Sequence, residues 1–131
     1  MATTFKVRYK NHCTPQEQIA SGGRYYLDSD VGRKLTGNAE TSVTLGSTGV
    51  LTTGTSISTS AEEIVDAARD FVYVKNTGST EVVIYLTSDS SAEYVIALAE
   101  NEAFASEIST SANVMVKTLS GSSTIEHYVA T

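Results

Sequence analysis

FVYVKNTGSTEVVIYL, residues 71–86, holds two β-rich runs, Phe71–Asn76 and Val82–Leu86, separated by the turn chemistry of Thr77-Gly78-Ser79-Thr80. In the second run Val82, Ile84 and Leu86 alternate with Glu81, Val83, Tyr85 and Thr87, the two-residue period of a strand with a buried face. The same pattern continues downstream. After a turn at Asp89-Ser90-Ser91, Tyr94, Ile96 and Leu98 alternate with Glu93, Val95 and Ala97. Further strands are expected over Asn113–Leu119 (NVMVKTL) and Thr124–Val129 (TIEHYV), separated by Ser120-Gly121-Ser122-Ser123. Strands recurring about every eight to twelve residues mark an antiparallel sandwich or barrel, and the expected fold is an all-β sandwich.

Upstream the signal weakens by steps. Ser60-Ala61-Glu62-Glu63 has the form of a capping box, so a helix is expected no longer than Ala61–Asp70, with a strand from Ile64 and Val65 as the alternative. Thr41–Ser60 is almost wholly Ser, Thr and Gly with single aliphatics at Val43, Leu45, Val50, Leu51 and Ile57. β-Branched Thr on a pleated surface favours short edge strands joined by glycine turns over a disordered linker. At the N-terminus Phe5, Val7 and Tyr9 alternate with Lys6, Arg8 and Lys10, which reads as one half-buried strand. Asn11–Gly23 holds the only proline and reads as a loop, Arg24–Leu27 (RYYL) as a short strand, and Asp28–Asn38 as turns. The expected organisation is an extended N-terminal arm with loops over 1–41 and a sandwich domain over 42–131.

Composition narrows the function classes. The 131 residues suit one domain with a core of its own. With a net charge of -6, nonspecific nucleic-acid binding is not expected, because Lys and Arg on phosphate supply most of that affinity. The charge is uneven: residues 1–34 carry +3 (Lys6, Arg8, Lys10, Arg24, Arg33 and Lys34 against Glu17, Asp28 and Asp30) and the remainder -9. A basic arm on an acidic body follows. The longest apolar run, Tyr94–Ala99, falls far short of the ~20 residues of a membrane helix, so no membrane partner is expected. Lys6, Arg8 and Lys10 stand where a signal peptide needs apolar residues, and the single Cys13 has no intrachain partner, both in keeping with a reducing compartment.

Candidate chemistry is sparse. His12 and Cys13 offer a base and a nucleophile, but neighbours on an extended chain point to opposite faces, and Cys13 reads as a small buried hydrophobe. His127 shares a strand face with Ile125 and Val129, the placement of a core or interface histidine. Two histidines and one cysteine give no zinc spacing. Asp28-Ser29-Asp30-Val31-Gly32 opens like a calcium loop, but its sixth position is Arg33 and its twelfth Ala39, so a plain turn is the better account. Glu62, Asp66 and Asp70 would line one exposed face of a helix, and Glu100, Glu102 and Glu107 flank Phe104 without a basic partner nearby in sequence. No glycine-rich phosphate cradle is present. No catalytic residue, metal or cofactor is expected, and a small β-sandwich hydrolase or metal enzyme is the rival from the enzyme class.

FVYVKNTGSTEVVIYL, then YVIALAENEAF, then NVMVKTLSGSSTIEHYV resembles the small jelly-roll-like β-sandwich virion proteins of tailed bacteriophages, of the head decoration or cement type. The marks are an apolar strand closing in Lys75-Asn76-Thr77-Gly78, an aliphatic strand meeting the corner Glu100-Asn101-Glu102-Ala103-Phe104, and a final strand near the C-terminus. Many such proteins carry Pro-Gly at that corner; here Glu100-Asn101 stands there. The resemblance implies a non-enzymatic protein made in the host cytoplasm that binds the major capsid protein on the virion surface, commonly as a trimer. Its alternative is a tail-fibre, needle or receptor-binding module using loops such as Asp89–Glu93 or Ser120–Thr124. The residues add a route: Phe5, Val7 and Tyr9 would set the register of an added strand while Lys6, Arg8 and Lys10 meet acidic partner surface. The hydroxyl surplus, 17 Ser and 18 Thr, suits a flat, wet interface as well as an ordinary soluble surface.

Overall fold

In the computed structural model, residues 5–10, 12–13, 17–18, 25–26, 35–36, 41–65, 70–87, 96–109 and 113–131 are described, and their regular structure is entirely β. The strands are β1 (Phe5–Tyr9), β2 (His12–Cys13), β3 (Glu17–Gln18), β4 (Tyr25–Tyr26), β5 (Leu35–Thr36), β6 (Thr41–Leu45) and β7 (Val50–Ile57). They continue with β8 (Glu62–Val65), β9 (Phe71–Asn76), β10 (Val82–Thr87), β11 (Ile96–Leu98), β12 (Ala103–Glu107), β13 (Asn113–Thr118) and β14 (Ser123–Ala130). The chain divides into two compact units, Met1–Val7 with Val43–Thr131, and Arg8–Ser42.

The larger unit is a sandwich of two four-stranded sheets, ordered β11-β10-β13-β8 and β12-β9-β14-β7, with every pairing antiparallel. Each chain-consecutive pair β7/β8, β9/β10, β11/β12 and β13/β14 takes the same rank in the two sheets, and only β10–β11 is a hairpin within one sheet. Repeated crossing between sheets is the eight-stranded jelly-roll pattern. Alternation supplies the core: Ile57, Val72, Val74 and Ile125 from one sheet meet Val82, Ile84, Leu98, Val114 and Val116 from the other, all buried. In β10 the burial exceeds a single face, since Val83 and Tyr85 are buried along with Val82 and Ile84. That fits a continuous apolar run better than strict alternation.

One sheet-to-sheet corner is held by a buried polar side chain. Asn76 Nδ2 donates to Thr80 O (2.8 Å) and to Leu98 O (2.9 Å), while Oδ1 accepts from Gly78 N (3.1 Å) and Ser123 Oγ (2.8 Å). Asn76 lies on β9 and Leu98 on β11 of the facing sheet, so this one amide links the two layers with its full bonding capacity used. Gly78 belongs to the same corner: a Cβ there would fall 2.2 Å from Ser123 Oγ and 2.8 Å from Thr124 N. At the same corner, where Asn101 N donates to Asn76 O (2.8 Å) and Asn76 N donates to Glu102 O (3.0 Å), the turn Ala99–Glu102 is closed by Glu102 N to Ala99 O (3.0 Å), with Asn101 at φ 67°. A positive φ at the third turn position is the type II requirement that Gly meets most easily and Asn tolerates, and Asn101 meets it here.

The helix expected from Ser60 does not form over its first turn. Glu62–Val65 is strand β8, paired antiparallel with β13 through a bulge between Val114 and Met115. Ser60 N–H is bound by Ser58 Oγ (3.2 Å), and Ile64 packs against the core, so strand pairing outweighs the local cap signal. Residues 66–69 lie outside the described residues. The edge strands expected in the Ser/Thr/Gly zone are present as β6 and β7, but Gly54 is not a turn. Thr55 opposes Ile125 and Thr52 opposes His127, so three steps on β7 match two on β14, and Gly54 at φ 69° makes the bulge.

In the unit Arg8–Ser42, β2 pairs with β5 (His12↔Thr36, Cys13↔Leu35) and β3 with β4 (Glu17↔Tyr26, Gln18↔Tyr25). The stretches read as loop and turns, Asn11–Gly23 and Asp28–Asn38, therefore contain short strands at β2, β3 and β5. Tyr25 and Tyr26 form the short strand expected in RYYL.

Candidate functional site

β1 carries the alternation that the sequence indicates. Phe5, Val7 and Tyr9 are half-buried, Lys6 and Arg8 are exposed, and Lys10 just beyond the strand is exposed too. Successive cations stand two residues apart on one face, so the row Lys6-Arg8-Lys10 runs about 13 Å. β1 forms a two-stranded sheet with β6, and among the described residues no third strand joins it. Arg8 and Tyr9 also take part in interactions within the chain. One set of side chains is half-buried, and the other carries positive charge at the surface.

The remaining described candidates are spread over several strands of the sandwich and the smaller unit. His127 stands between Val74 on β9 and Thr52 on β7, on the inward face with Ile125, and its Nδ1 is buried without a hydrogen-bond partner. Burial pushes the imidazole below its ordinary value, and Glu62 on the facing sheet works in the opposite direction. Glu102 Oε2 accepts from Ala99 N (2.8 Å) and so braces the corner it sits in. Glu62 and Glu63 lie on the edge strand β8. Among the described residues no three His, Cys, Asp or Glu side chains converge as a metal-binding group. The calcium-like stretch Asp28–Gly32, Asp66 and the loop Asp89–Glu93 lie outside the described residues. His12 and Cys13 are consecutive in the two-residue strand β2.

A polar-aromatic group on the outer face of the β12-β9-β14-β7 sheet escaped the sequence reading. Tyr73 Oη donates to Glu126 Oε1 (2.8 Å), and Phe71 and Tyr128 meet edge to face with centroids 6.3 Å apart. Burial first, then the hydrogen bond and charge of Glu126, pushes the Tyr73 phenol up to about 12. Tyr128 Oη donates to Thr48 O in the turn before β7. The alternation of β9 and β14 marks each residue as strand, but only the register Tyr73↔Tyr128 and Lys75↔Glu126 brings them together. No protein-family model, curated protein or solved structure matches this chain.

Proposed function

We propose that this chain is a non-enzymatic structural virion protein that binds the outer capsid surface, contacting the major capsid protein and stabilising the head as a decoration or cement protein. The observation that carries the reading is the exposed row of Lys6 and Arg8 on β1 and Lys10 just beyond it, in a chain whose net charge is -6. A cationic strand on an acidic body orients against an acidic partner surface and raises the association rate. The use of the polar side chains also supports it. Glu102 and Glu126 are engaged in hydrogen bonds within the sandwich, and Asn76 is fully bonded inside it.

The second reading, a tail-fibre, needle or receptor-binding module, draws on the exposed β13–β14 turn, where Leu119 is 68% exposed. Electron microscopy of the virion separates the two. Density repeated regularly over the capsid surface is the expected result. Density confined to the tail tip transfers the protein to the second reading, and absence from the particle overturns both.

A further inference from the structure

Among the described residues β1 and β6 form a ribbon of their own and join neither four-stranded sheet by a backbone ladder. A two-stranded ribbon is marginal by itself and keeps its place only by packing on something larger. Phe5–Val7 belongs to the same compact unit as Val43–Thr131, and the chain passes from β6 into the sandwich through Gly46–Gly49. That connection is held against the end of β14. Gly46 N and Ser47 N both donate to Thr131 O (2.7 and 3.2 Å), Ser47 Oγ lies 3.3 Å from Thr131 Oγ1, and Tyr128 Oη donates to Thr48 O. Gly49 presses on the same ring: a Cβ there would fall 2.6 Å from Tyr128 Cζ and Oη and 2.7 Å from Val129 O. Phe71 meets the ring edge to face, and Phe71 and Leu45 are both buried although neither belongs to the cluster between the sheets.

We infer that Tyr128 is a positioning residue for the partner-binding strand: its phenol latches the β6–β7 connection onto β14 and, through β6, holds β1 and Lys6 in one place on the sandwich. The inference rests on the capsid-binding reading of β1. Gly46, Ser47 and Thr48 are exposed, so water competes for the backbone bonds that hold them. Tyr128 brings to the same connection both a bond and the face against which Gly49 closes, and Gly49 at φ 74° has the backbone freedom and the missing Cβ that this approach requires. β6 is the strand partner of β1, so fixing one end of β6 limits the positions that β1 takes. A strand held in its binding position has less freedom to lose on docking, and affinity rises accordingly.

Amide hydrogen exchange of the full chain, paired with cosedimentation on capsids prepared without it, tests the latch. Tyr128→Phe keeps the ring and removes the bond to Thr48 O; exchange at Gly46, Ser47 and the β1 amides should quicken at least about threefold. Gly49→Ala, which drives a Cβ into the ring, should do so at least about tenfold. Both variants should bind capsids at least about threefold more weakly than wild type, and neither should weaken binding further in a Lys6→Glu/Lys10→Glu chain. Ile125→Val, a core change of similar cost to stability, should alter neither β1 exchange nor capsid binding. β1 exchange unmoved by both latch variants overturns the inference, as does faster exchange with full capsid affinity, or an Ile125→Val chain that reproduces both effects. A wild type that does not pellet with capsids marks failure of the capsid reading instead, and the exchange result then decides the latch by itself.

Discussion

The Asn76 corner and strand β1 are both short polar stretches, and they use polarity in opposite ways. Asn76 is fully buried, and its amide makes four hydrogen bonds that tie β9 to β11, to the turn and to β14. Lys6, Arg8 and Lys10 are exposed on one side of a strand whose other side is half-buried. Inside, a polar group is tolerable only when every donor and acceptor is met, and it then fixes one geometry. Outside, exposed charge stays largely hydrated and adds little to stability. Substitutions at the corner should therefore be read in folding, and those on β1 in binding.

The largest effect is expected at the corner itself. Asn76→Ala strands Ser123 Oγ, Gly78 N and the carbonyls of Thr80 and Leu98, and should lower stability by about 3 to 4 kcal/mol, seen as a drop in the urea midpoint at constant slope. A result under about 1 kcal/mol would erase the contrast between the two regions. Next comes Gly78→Ala, whose Cβ meets Ser123 Oγ and the Thr124 backbone nitrogen; about 2 kcal/mol of destabilisation should follow in the same assay. The adjoining turn, whose Asn101 N donates to Asn76 O (2.8 Å), sharpens the point. Asn101→Ala, at φ 67°, should cost about 1 kcal/mol while Asn101→Gly is neutral or mildly stabilising, because backbone conformation rather than a buried network governs that site.

His127 gives the smallest of these effects and a pH test. Its folded-state value lies below the ordinary 6.5, chiefly through burial, with Glu62 opposing. The unfolded chain therefore takes up the proton first as pH falls, so stability is complete above about pH 6.5 and declines below it until the folded imidazole protonates. Thermal melts of wild type and His127→Gln between pH 7.5 and 5 check this. The variant should lose that part of the slope.

The sandwich was legible because its strands obey a period of two: Val114, Val116 and Thr118 are buried in β13 as Val72, Val74 and Asn76 are in β9. The role of Asn76 was not legible. KNTG reads as the end of a strand and a turn, and two of the amide's partners lie 22 and 47 residues away in sequence. Ser60-Ala61-Glu62-Glu63 misled for the same reason, since a local cap signal carries no information about the long-range pairing of β8 with β13. Gly54 reads as a turn residue until the register with β14 identifies its bulge. The basic row on β1 needed no distant contact: Lys6, Arg8 and Lys10 alternate with Phe5, Val7 and Tyr9, and backbone geometry alone sends them to one face.

Cosedimentation of this protein with capsids prepared without it tests the functional account most directly, with Lys6→Glu/Lys10→Glu beside the wild type. The wild type should pellet with the capsids and the charge-reversed chain, equally folded, should bind at least about tenfold more weakly, with the gap narrowing as salt is raised. Equal binding by the two chains would contradict it.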